Sequence, residues 1–289
     1  MKTILILIGG LWSITALQAQ EAEATFEYNK TRVTGPISML SGGGGNIAVL
    51  KSEDGLLVVD NGFTRYGGQL DKALESFGAA PRYVLNTHWH YDHTGANASL
   101  GEHATIVAHE NVRLRLTKGA TFGDLVIEPA TGHALPDVTY QDGTMIHFGD
   151  QTVSAQHLPG GHTDGDSVIF FEPAHVVHTG DLMFAEAFPF IDPSSGGSVS
   201  GYIDNVATII NKIDEETIVV PGHGAITNQQ GLKSFHAMLT ETRDAVREMK
   251  ASGKSLEQAQ SAGLSPKWQD WGNGFINHDR WIAILWEGS

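Results

Sequence analysis

The segment 88–93, with the sequence HWHYDH, constrains this chain more than any other feature, because it places four potential metal ligands within six residues. Imidazole and carboxylate together suit zinc or a similar divalent metal. The apolar run at 83–85 comes shortly before it, so the segment is predicted to be a loop that leaves the end of a buried strand. Such a loop can gather its ligands around one point while the strand holds them in place.

Three further residues of ligand type, His162, Asp181 and His223, occur downstream in similar settings. Each follows an apolar, strand-like run or lies a few residues beyond one, and each is preceded directly by glycine. Glycine allows the backbone to approach a ligand closely or to adopt positive φ. A single histidine after a strand is usually a polar loop residue, whereas seven candidates in one kind of setting predict a metal site.

With these motifs the chain resembles the metallo-β-lactamase superfamily of hydrolases, from about Val33 to His223. The resemblance implies two metal ions per chain, most simply zinc, while iron or manganese stays open. The implied ligands are His88, His90 and His162 for the first metal, Asp92, His93 and His223 for the second, and Asp181 as the bridge. Asp60 matches a family aspartate that does not bind the metal and instead accepts a hydrogen bond from a ligating histidine. The alternative for Asp60 is an ordinary residue of an Asp-Asn-Gly turn.

The resemblance also implies a four-layer αβ/βα sandwich of two facing mixed β-sheets covered by helices, formed by residues 25–289 as a single domain. The residue pattern is compatible with this α/β fold, because strand-like runs come in two groups, each followed by helical segments. The predicted helices span 69–77, 111–116, 202–213 and 232–249. Four tryptophans near the end, which we expect to hold a C-terminal segment onto the sandwich, are Trp268, Trp271, Trp281 and Trp286.

The first residues carry an export pattern, with Lys2 ahead of a mostly apolar stretch at 4–17 and small residues after it. Residues 1–19 are therefore predicted to be a signal peptide, and cleavage after Ala19 is favoured over cleavage after Ala24. The mature protein is predicted to be periplasmic or secreted. An uncleaved anchor is the alternative. There is no run of 18 apolar residues, so stable membrane insertion is not expected.

The composition limits the possible metal ligands and the possible classes of substrate. The chain has no cysteine, which removes thiolate from the available metal ligands and excludes disulfides. Its formal net charge of -15 disfavours binding to a phosphate backbone, so we expect a small-molecule substrate and no nucleic acid. The acidity is equally compatible with a role in solubility. The oligomeric state and the natural substrate are not defined by the sequence.

The resemblance implies a reaction in which a hydroxide shared by two metals attacks a carbonyl carbon, with Asp92 orienting it as the catalytic residue. One large β-lactamase subclass has cysteine where this chain has Asp181, and lysine where it has Phe184. Asp181 is instead similar to the bridging aspartate of glyoxalase II and lactonases. The apolar segment after it predicts that Phe184, Phe188 and Phe190 line the cleft, unless they pack inward.

The expected function is an exported dinuclear zinc hydrolase that cleaves a cyclic amide or ester, with β-lactam hydrolysis at least as a promiscuous activity. Three alternatives stay open: a lactonase, thioesterase or aryl-esterase without a β-lactamase role, an iron-dependent sulfur dioxygenase, and a non-catalytic metal-binding module. The glycine run at 42–45 is either a flap near the metals or a loose hairpin.

Overall fold

The computed structural model of the protein describes residues 26–122 and 125–288. The predicted signal peptide and both predicted cleavage positions, Ala19 and Ala24, lie outside these ranges. Within them, the structure contains no helix with the length and apolar character needed to cross a membrane.

The strands in chain order are β1 (Asn29–Thr34), β2 (Ile37–Ser41), β3 (Ile47–Ser52), β4 (Gly55–Val59), β5 (Pro81–Asn86), β6 (Thr105–His109), β7 (Ala120–Phe122), β8 (Leu125–Ile127), β9 (Val138–Tyr140), β10 (Gly143–Phe148), β11 (Gln151–His157), β12 (Ser167–Glu172), β13 (Val176–His178), β14 (Ile218–Val220) and β15 (Thr227–Asn228). The helices are α1 (Gly67–Glu75), α2 (Tyr91–Thr94), α3 (Asn97–Leu100), α4 (Glu110–Lys118), α5 (Val199–Lys212), α6 (Gln229–Ala251), α7 (Leu256–Ala262) and α8 (His278–Glu287). Shorter 3-10 turns span Thr64–Tyr66, Gly132–Ala134, Gly180–Leu182, Pro193–Ser195 and Pro266–Asn273.

Two large mixed sheets form the centre of the molecule. The first has seven strands in the order β1-β2-β3-β4-β5-β6-β9, and the second has six in the order β10-β11-β12-β13-β14-β15. Strands β4, β5, β6 and β9 run parallel, as do β13 and β14. Strands β7 and β8 form a separate antiparallel pair.

The inner faces of the two sheets pack on each other, because successive side chains of a strand point to opposite faces. In β4, Leu57 and Val59 join the core between the sheets, where they meet Phe171 of β12. Their neighbours Leu56 and Val58 point the other way and pack under helix α1. Both faces of this strand are therefore buried, as a continuous apolar run predicts.

Helices cover the outer face of each sheet. Helix α1 contributes Leu70 and Leu74 to the core behind the first sheet. Helices α5 and α6 cover the second sheet, where Tyr202 and Phe235 pack against Val177 of β13. The layers are thus helix, sheet, sheet and helix, which confirms the predicted four-layer αβ/βα sandwich.

The C-terminal segment packs on helix α6, as predicted from its tryptophans. Trp268 and Trp281 are buried, and Trp271 and Trp286 pack partly buried against the same core. The Trp281 indole donates a hydrogen bond to Thr242 Oγ1 at 3.0 Å, so a polar atom of α6 fixes the buried ring. This anchoring makes α8 a rigid part of the sandwich.

Most of the predicted elements are confirmed, with shifted ends. The predicted helix 69–77 is observed as α1, which begins and ends slightly earlier. It ends before Gly78, which adopts a left-handed φ of 69° in the turn that follows. The strands that were not predicted are β1, β2, β7, β8, β9, β10 and β15. Every side chain of β1 is exposed or half-buried, so this edge strand lacks the apolar pattern that identifies a strand.

The ligand candidates lie where strands end. Asp60 follows β4, and the segment 88–93 follows the parallel neighbour β5. Asp181 and His223 follow the parallel pair β13 and β14. Because parallel strands end at the same sheet edge, the loops that carry these residues meet there.

Candidate metal centre

The structure brings all seven predicted ligands into two adjoining clusters. The ligand atoms of each cluster lie within 4.8 Å of one another. One cluster contains His88, His90, His162 and Asp181, and all four are buried; the other contains Asp92, His93 and His223. The groups that the family resemblance assigned to different metals are thus separated in the folded chain.

Asp181 lies between the two clusters and presents a different oxygen to each. Its Oδ2 atom lies 3.4 Å from His162 Nε2 and 3.7 Å from His88 Nε2. Its Oδ1 atom lies 3.0 Å from His93 Nε2 and 3.3 Å from His223 Nε2. This arrangement is compatible with a carboxylate that bridges two cations.

The turn that carries Asp181 is held by its surroundings. The Tyr202 hydroxyl donates a hydrogen bond to the Asp181 carbonyl oxygen. Gly180, with a φ of 51°, packs so closely on Thr87 that a Cβ atom there would lie 2.6 Å from the threonine Oγ1 atom. Glycine is therefore favoured here for two reasons, because it tolerates the positive φ and because it leaves room for Thr87.

The histidines of the clusters are oriented through their second ring nitrogen. His93 Nδ1 lies 2.7 Å from Asp60 Oδ2. His90 Nε2 lies 3.1 Å from Asp192 Oδ2. His162 Nδ1 lies 2.8 Å from the carbonyl oxygen of Phe190. Partners of this kind fix the tautomer and the orientation of a metal-ligating imidazole.

Asp60 has the surroundings expected of a supporting carboxylate. It is fully buried and adopts a positive φ of 62°, which is unusual for a residue with a side chain. Its Oδ1 accepts a hydrogen bond of 2.8 Å from the Thr87 backbone N–H, and its Oδ2 accepts one from the Thr87 hydroxyl. Asp60 thereby links the end of β4 to the ligand loop and to His93.

Burial keeps two histidines of the first cluster neutral. Burial, together with the neighbouring His90, lowers the pKa of His162 to about 4. Burial and the neighbouring His93 hold the pKa of His88 well below its ordinary value. Neutral imidazole has a free lone pair at neutral pH, which is the form that binds a metal.

The second cluster has a strongly negative local field. Burial opposes protonation of His223, but Asp181 outweighs it and raises the pKa of that ring to about 9. Burial likewise opposes protonation of His93, and Asp181 and Asp92 raise its pKa well above the ordinary value. Carboxylates at these distances favour either protonated imidazole rings or a cation bound between the rings.

The donor set fits divalent metal ions. His88 Nε2 and Asp181 Oδ1 are buried side-chain atoms without a hydrogen-bond partner in the described part of the chain. Burying such atoms unsatisfied is costly, and both point into the clusters. His162 Nε2 and His90 Nδ1 lie 2.8 Å apart, so both ring nitrogens face the inside of the first cluster. Imidazole nitrogens with carboxylate oxygens are the ligands of zinc and similar metals.

Three phenylalanines were predicted to line the cleft, and the structure places them differently. Phe190 lies at the wall of the first cluster, with its ring 5.9 Å from the rings of His90 and His162. Phe184 is mostly buried and stacks on His223 at 4.8 Å. Phe188 is buried and stacks on Trp281, so it packs inward, the alternative left open by the sequence.

The glycine run at 42–45 is packed against the site. Gly45 donates a backbone hydrogen bond of 3.0 Å to the Asp92 carbonyl, and Gly43 accepts one of 2.8 Å from Phe63. A Cβ atom at Gly45 would lie 2.1 Å from His93 Cε1. The segment is therefore a close-packed support of His93 and not a loose hairpin.

Two carboxylates of the site were not predicted. Asp192 contacts His90, and its Oδ1 accepts a hydrogen bond from Ser195 N–H, which caps the turn Pro193–Ser195. Asp166 accepts hydrogen bonds from the backbone N–H groups of His162 and Thr163. An aspartate ahead of Pro-Ser-Ser signals a helical cap, but the sequence gives no sign that the cap lies beside His90.

The comparison with protein families agrees with this geometry. A family model described as the metallo-β-lactamase superfamily matches residues 40–223, which include all seven ligand candidates. The chain belongs to the metallo-β-lactamase superfamily. Membership of this superfamily, together with the histidine and aspartate clusters, makes the protein a metal-dependent hydrolase that uses a divalent metal.

Similar proteins include members with and without an assigned activity. An uncharacterized protein of Mycobacterium leprae, ML0493, is 31% identical over 193 residues, which are 63% of this chain and 87% of that protein. The acyl-coenzyme A thioesterase MBLAC2 of Homo sapiens is 24% identical over 212 residues, or 63% of this chain and 74% of that protein. A metallo-β-lactamase from Pontibacter korlensis has the same fold, with a TM-score of 0.62 and 16% identity over 74% of this chain and 99% of that one.

Proposed function

We propose that this metallo-β-lactamase superfamily member is an exported dinuclear zinc hydrolase that cleaves an ester, thioester or lactone bond. The observation that carries the proposal is the position of Asp181, whose two oxygens face different histidine clusters at 3.0–3.7 Å. The first zinc would be held by His88, His90, His162 and Asp181, and the second by Asp92, His93, His223 and Asp181. Zinc pairs held in this way polarise a carbonyl and activate a water molecule at neutral pH.

The residues at the opening of the site would handle the proton of the attacking water. The Asp92 side chain is 19% exposed and that of His223 is 30% exposed, whereas the other ligands are buried. Although burial raises the pKa of Asp92, His93 and His223 outweigh it and keep the carboxyl ionised. Asp92 is thus an ionised hydrogen-bond acceptor at the point where water and substrate enter, and we assign it the role of orienting the attacking water.

The surroundings of the clusters favour esters and thioesters over charged β-lactams. Phe184 stands where one β-lactamase subclass uses lysine to hold the carboxylate of the drug, and its ring covers His223. Phe190 adds an apolar wall beside His90. The similarity to an acyl-coenzyme A thioesterase supports an acyl substrate with an apolar body. We assign β-lactam hydrolysis to this site only as a weaker side activity.

Export is the part of the proposal that rests on residues 1–19. Mass spectrometry of the protein purified from its native host should find a mature chain that begins near Gln20 or Thr25. A full-length chain that begins at Met1 in the cytosolic fraction would refute export without affecting the hydrolase assignment.

A hydrolysis screen tests the activity directly. The zinc-loaded protein should be assayed on matched aryl esters, thioesters, lactones, β-lactams and phosphate esters at equal concentration. Turnover of at least one acyl ester, thioester or lactone is expected, with slower β-lactam and no phosphate-ester hydrolysis. Asp92→Asn should lower kcat by about 100-fold or more, because it would remove a charged ligand of the second zinc together with the group that orients the water. Inertness toward all acyl bonds would refute the proposal, and iron in protein purified from the host would favour the sulfur dioxygenase alternative.

A further inference from the structure

An exposed aromatic residue and an arginine from the C-terminal segment lie next to the wall of the metal centre. The Phe275 ring meets the Phe190 ring edge-on, with centroids 6.3 Å apart. The Arg280 guanidinium carbon lies 4.7 Å from the Phe275 centroid and 5.8 Å from the Phe190 centroid. The Phe190 ring therefore lies near both this cation and His90.

Burial and ion pairing do not explain this pair of residues. Phe275 is 75% exposed, the largest fraction among the exposed large hydrophobic residues in the described ranges. Arg280 is exposed and forms no ion pair with a carboxylate of the described chain. It also lies in the first turn of α8, where Asn277 caps its backbone N–H, and a positive charge at that end of a helix is unfavourable.

The two residues are nevertheless held in a defined position. The Phe188 ring, two residues before Phe190, stacks on Trp281 of the same helix at 5.6 Å. The Phe188 backbone N–H donates a hydrogen bond of 3.0 Å to the Trp271 carbonyl. These buried contacts fix the loop of Phe190 to the segment that carries Arg280, so the cation has a set place relative to the ligands.

We propose that Phe190, Phe275 and Arg280 form a recognition subsite for an anionic group of the substrate. The subsite rests on the proposed hydrolase function and specifies its substrate class. The substrate would be an acyl compound with an apolar or planar body and a carboxylate, sulfonate or phosphate at its far end. The anionic group would lie about the width of one aromatic ring away from the scissile bond. The two rings contact the body while Arg280 binds the anion.

The distance separates this class from β-lactams. A β-lactam carries its carboxylate close to the scissile amide, within reach of the position that Phe184 occupies. Arg280 lies over the Phe190 ring, 5.8 Å from its centroid, and would bind a group farther from the scissile bond. In a chain with a net charge of -15, a cation without a carboxylate partner at this place also counters the general repulsion of anionic substrates.

The test compares two aryl acetates that differ in one charge, 4-acetoxybenzenesulfonate and 4-(methylsulfonyl)phenyl acetate. Their kcat/KM ratio is measured in the zinc-loaded wild type and in Arg280→Gln, which removes an exposed charge and should fold normally. The kcat/KM ratio should fall about twofold to fivefold in the variant, because KM for the anionic substrate rises as expected for the loss of an ion pair near the surface. The preference should also shrink as ionic strength rises.

Three further variants define the cause. Arg32→Gln removes one positive charge from edge strand β1 and should leave the ratio unchanged. Arg280→Lys should keep part of the preference, because it retains the charge but not the planar fork. Phe275→Ala should raise KM for both esters alike. An unchanged ratio in Arg280→Gln, or an equal fall in Arg32→Gln, would overturn the subsite while leaving the hydrolase function intact.

A binding measurement decides the matter if neither ester is hydrolysed. Calorimetry should then compare 4-hydroxybenzenesulfonate with 4-(methylsulfonyl)phenol, which lack the acyl bond. Tighter binding of the sulfonate in the wild type, lost in Arg280→Gln, would support the subsite even where the proposed activity fails. Equal binding of both compounds would overturn it.

Discussion

The Phe184 ring lies parallel to the His223 ring, with centroids 4.8 Å apart and 16° between the planes. The backbones are joined as well, because Ala185 N–H donates a hydrogen bond of 2.9 Å to the His223 carbonyl. His223 is the most exposed histidine of the clusters, and this stacking adds to the contacts of its Nε2 atom with Asp92 and Asp181. Phe184 would therefore act through His223 on a metal bound in the second cluster.

Phe184→Leu should weaken the second metal site without affecting the first. An aromatic pair contributes about 0.5–1.5 kcal/mol beyond its buried area, so affinity at that site should fall about twofold to tenfold. Titration with a competing chelator measures both affinities. Phe188→Leu is the matched control, because Phe188 is also buried but stacks on Trp281. Equal second-site affinity in both variants would contradict the role of Phe184.

Asp192→Ala should weaken the first metal site. Asp192 lies 3.1 Å from His90 Nε2, and the loss of such a partner typically lowers metal affinity about 10- to 100-fold. Asp192→Asn should be milder, because its amide oxygen can still accept the hydrogen bond. The same chelator titration measures this effect. Wild-type affinity in the alanine variant would show that His90 is held by other contacts.

Gly45→Ala should destabilise the protein and disturb His93. The added Cβ atom would lie 2.1 Å from the imidazole Cε1, so the ring or the backbone must move. A loss of about 1–3 kcal/mol is expected, as for overpacking of a core. Gly68→Ala is the control, because nothing lies within 4 Å of its added Cβ and it sits in helix α1. Denaturant unfolding of both variants should show the loss only in the first.

The ligand set could be predicted because the ligands follow the ends of β5, β11, β13 and β14 in recognisable local patterns. The segment 88–93 begins just after β5, and apolar runs mark β5, β13 and β14. The two facing sheets were implied by the family resemblance, and the apolar strand pattern was only compatible with them. The edge strand β1 was missed, because its side chains are not buried.

The residues around the ligands depend on packing between distant segments. Asp192 meets His90 across 102 positions of the chain, and no local pattern links them. Arg280 reaches Phe190 only because Trp281 fixes α8 to the sandwich. The predicted position of Phe188 in the cleft was wrong for the same reason. The same apolar local sequence can face either a functional site or the core.

Trp281→Ala should test how far the C-terminal segment supports the site. Trp281 is fully buried, stacks on Phe188 and donates a hydrogen bond to Thr242. Truncating a buried tryptophan costs about 3–5 kcal/mol. Thermal unfolding should show this loss, and Trp281→Phe should recover much of it. A Tm within a few degrees of wild type for the alanine variant would mean that α8 is not an integral part of the fold.

The number of metal ions bound with and without the Asp181 carboxylate tests the central claim most directly. Metal-free wild type should be titrated with zinc in a calorimeter, and elemental analysis should follow after dialysis. Two zinc ions per chain are predicted for the wild type. In Asp181→Asn, the second ion should bind far more weakly, with circular dichroism unchanged. One ion or fewer in a fully active wild type, or two tightly bound ions in Asp181→Asn, would contradict a dinuclear centre bridged by Asp181.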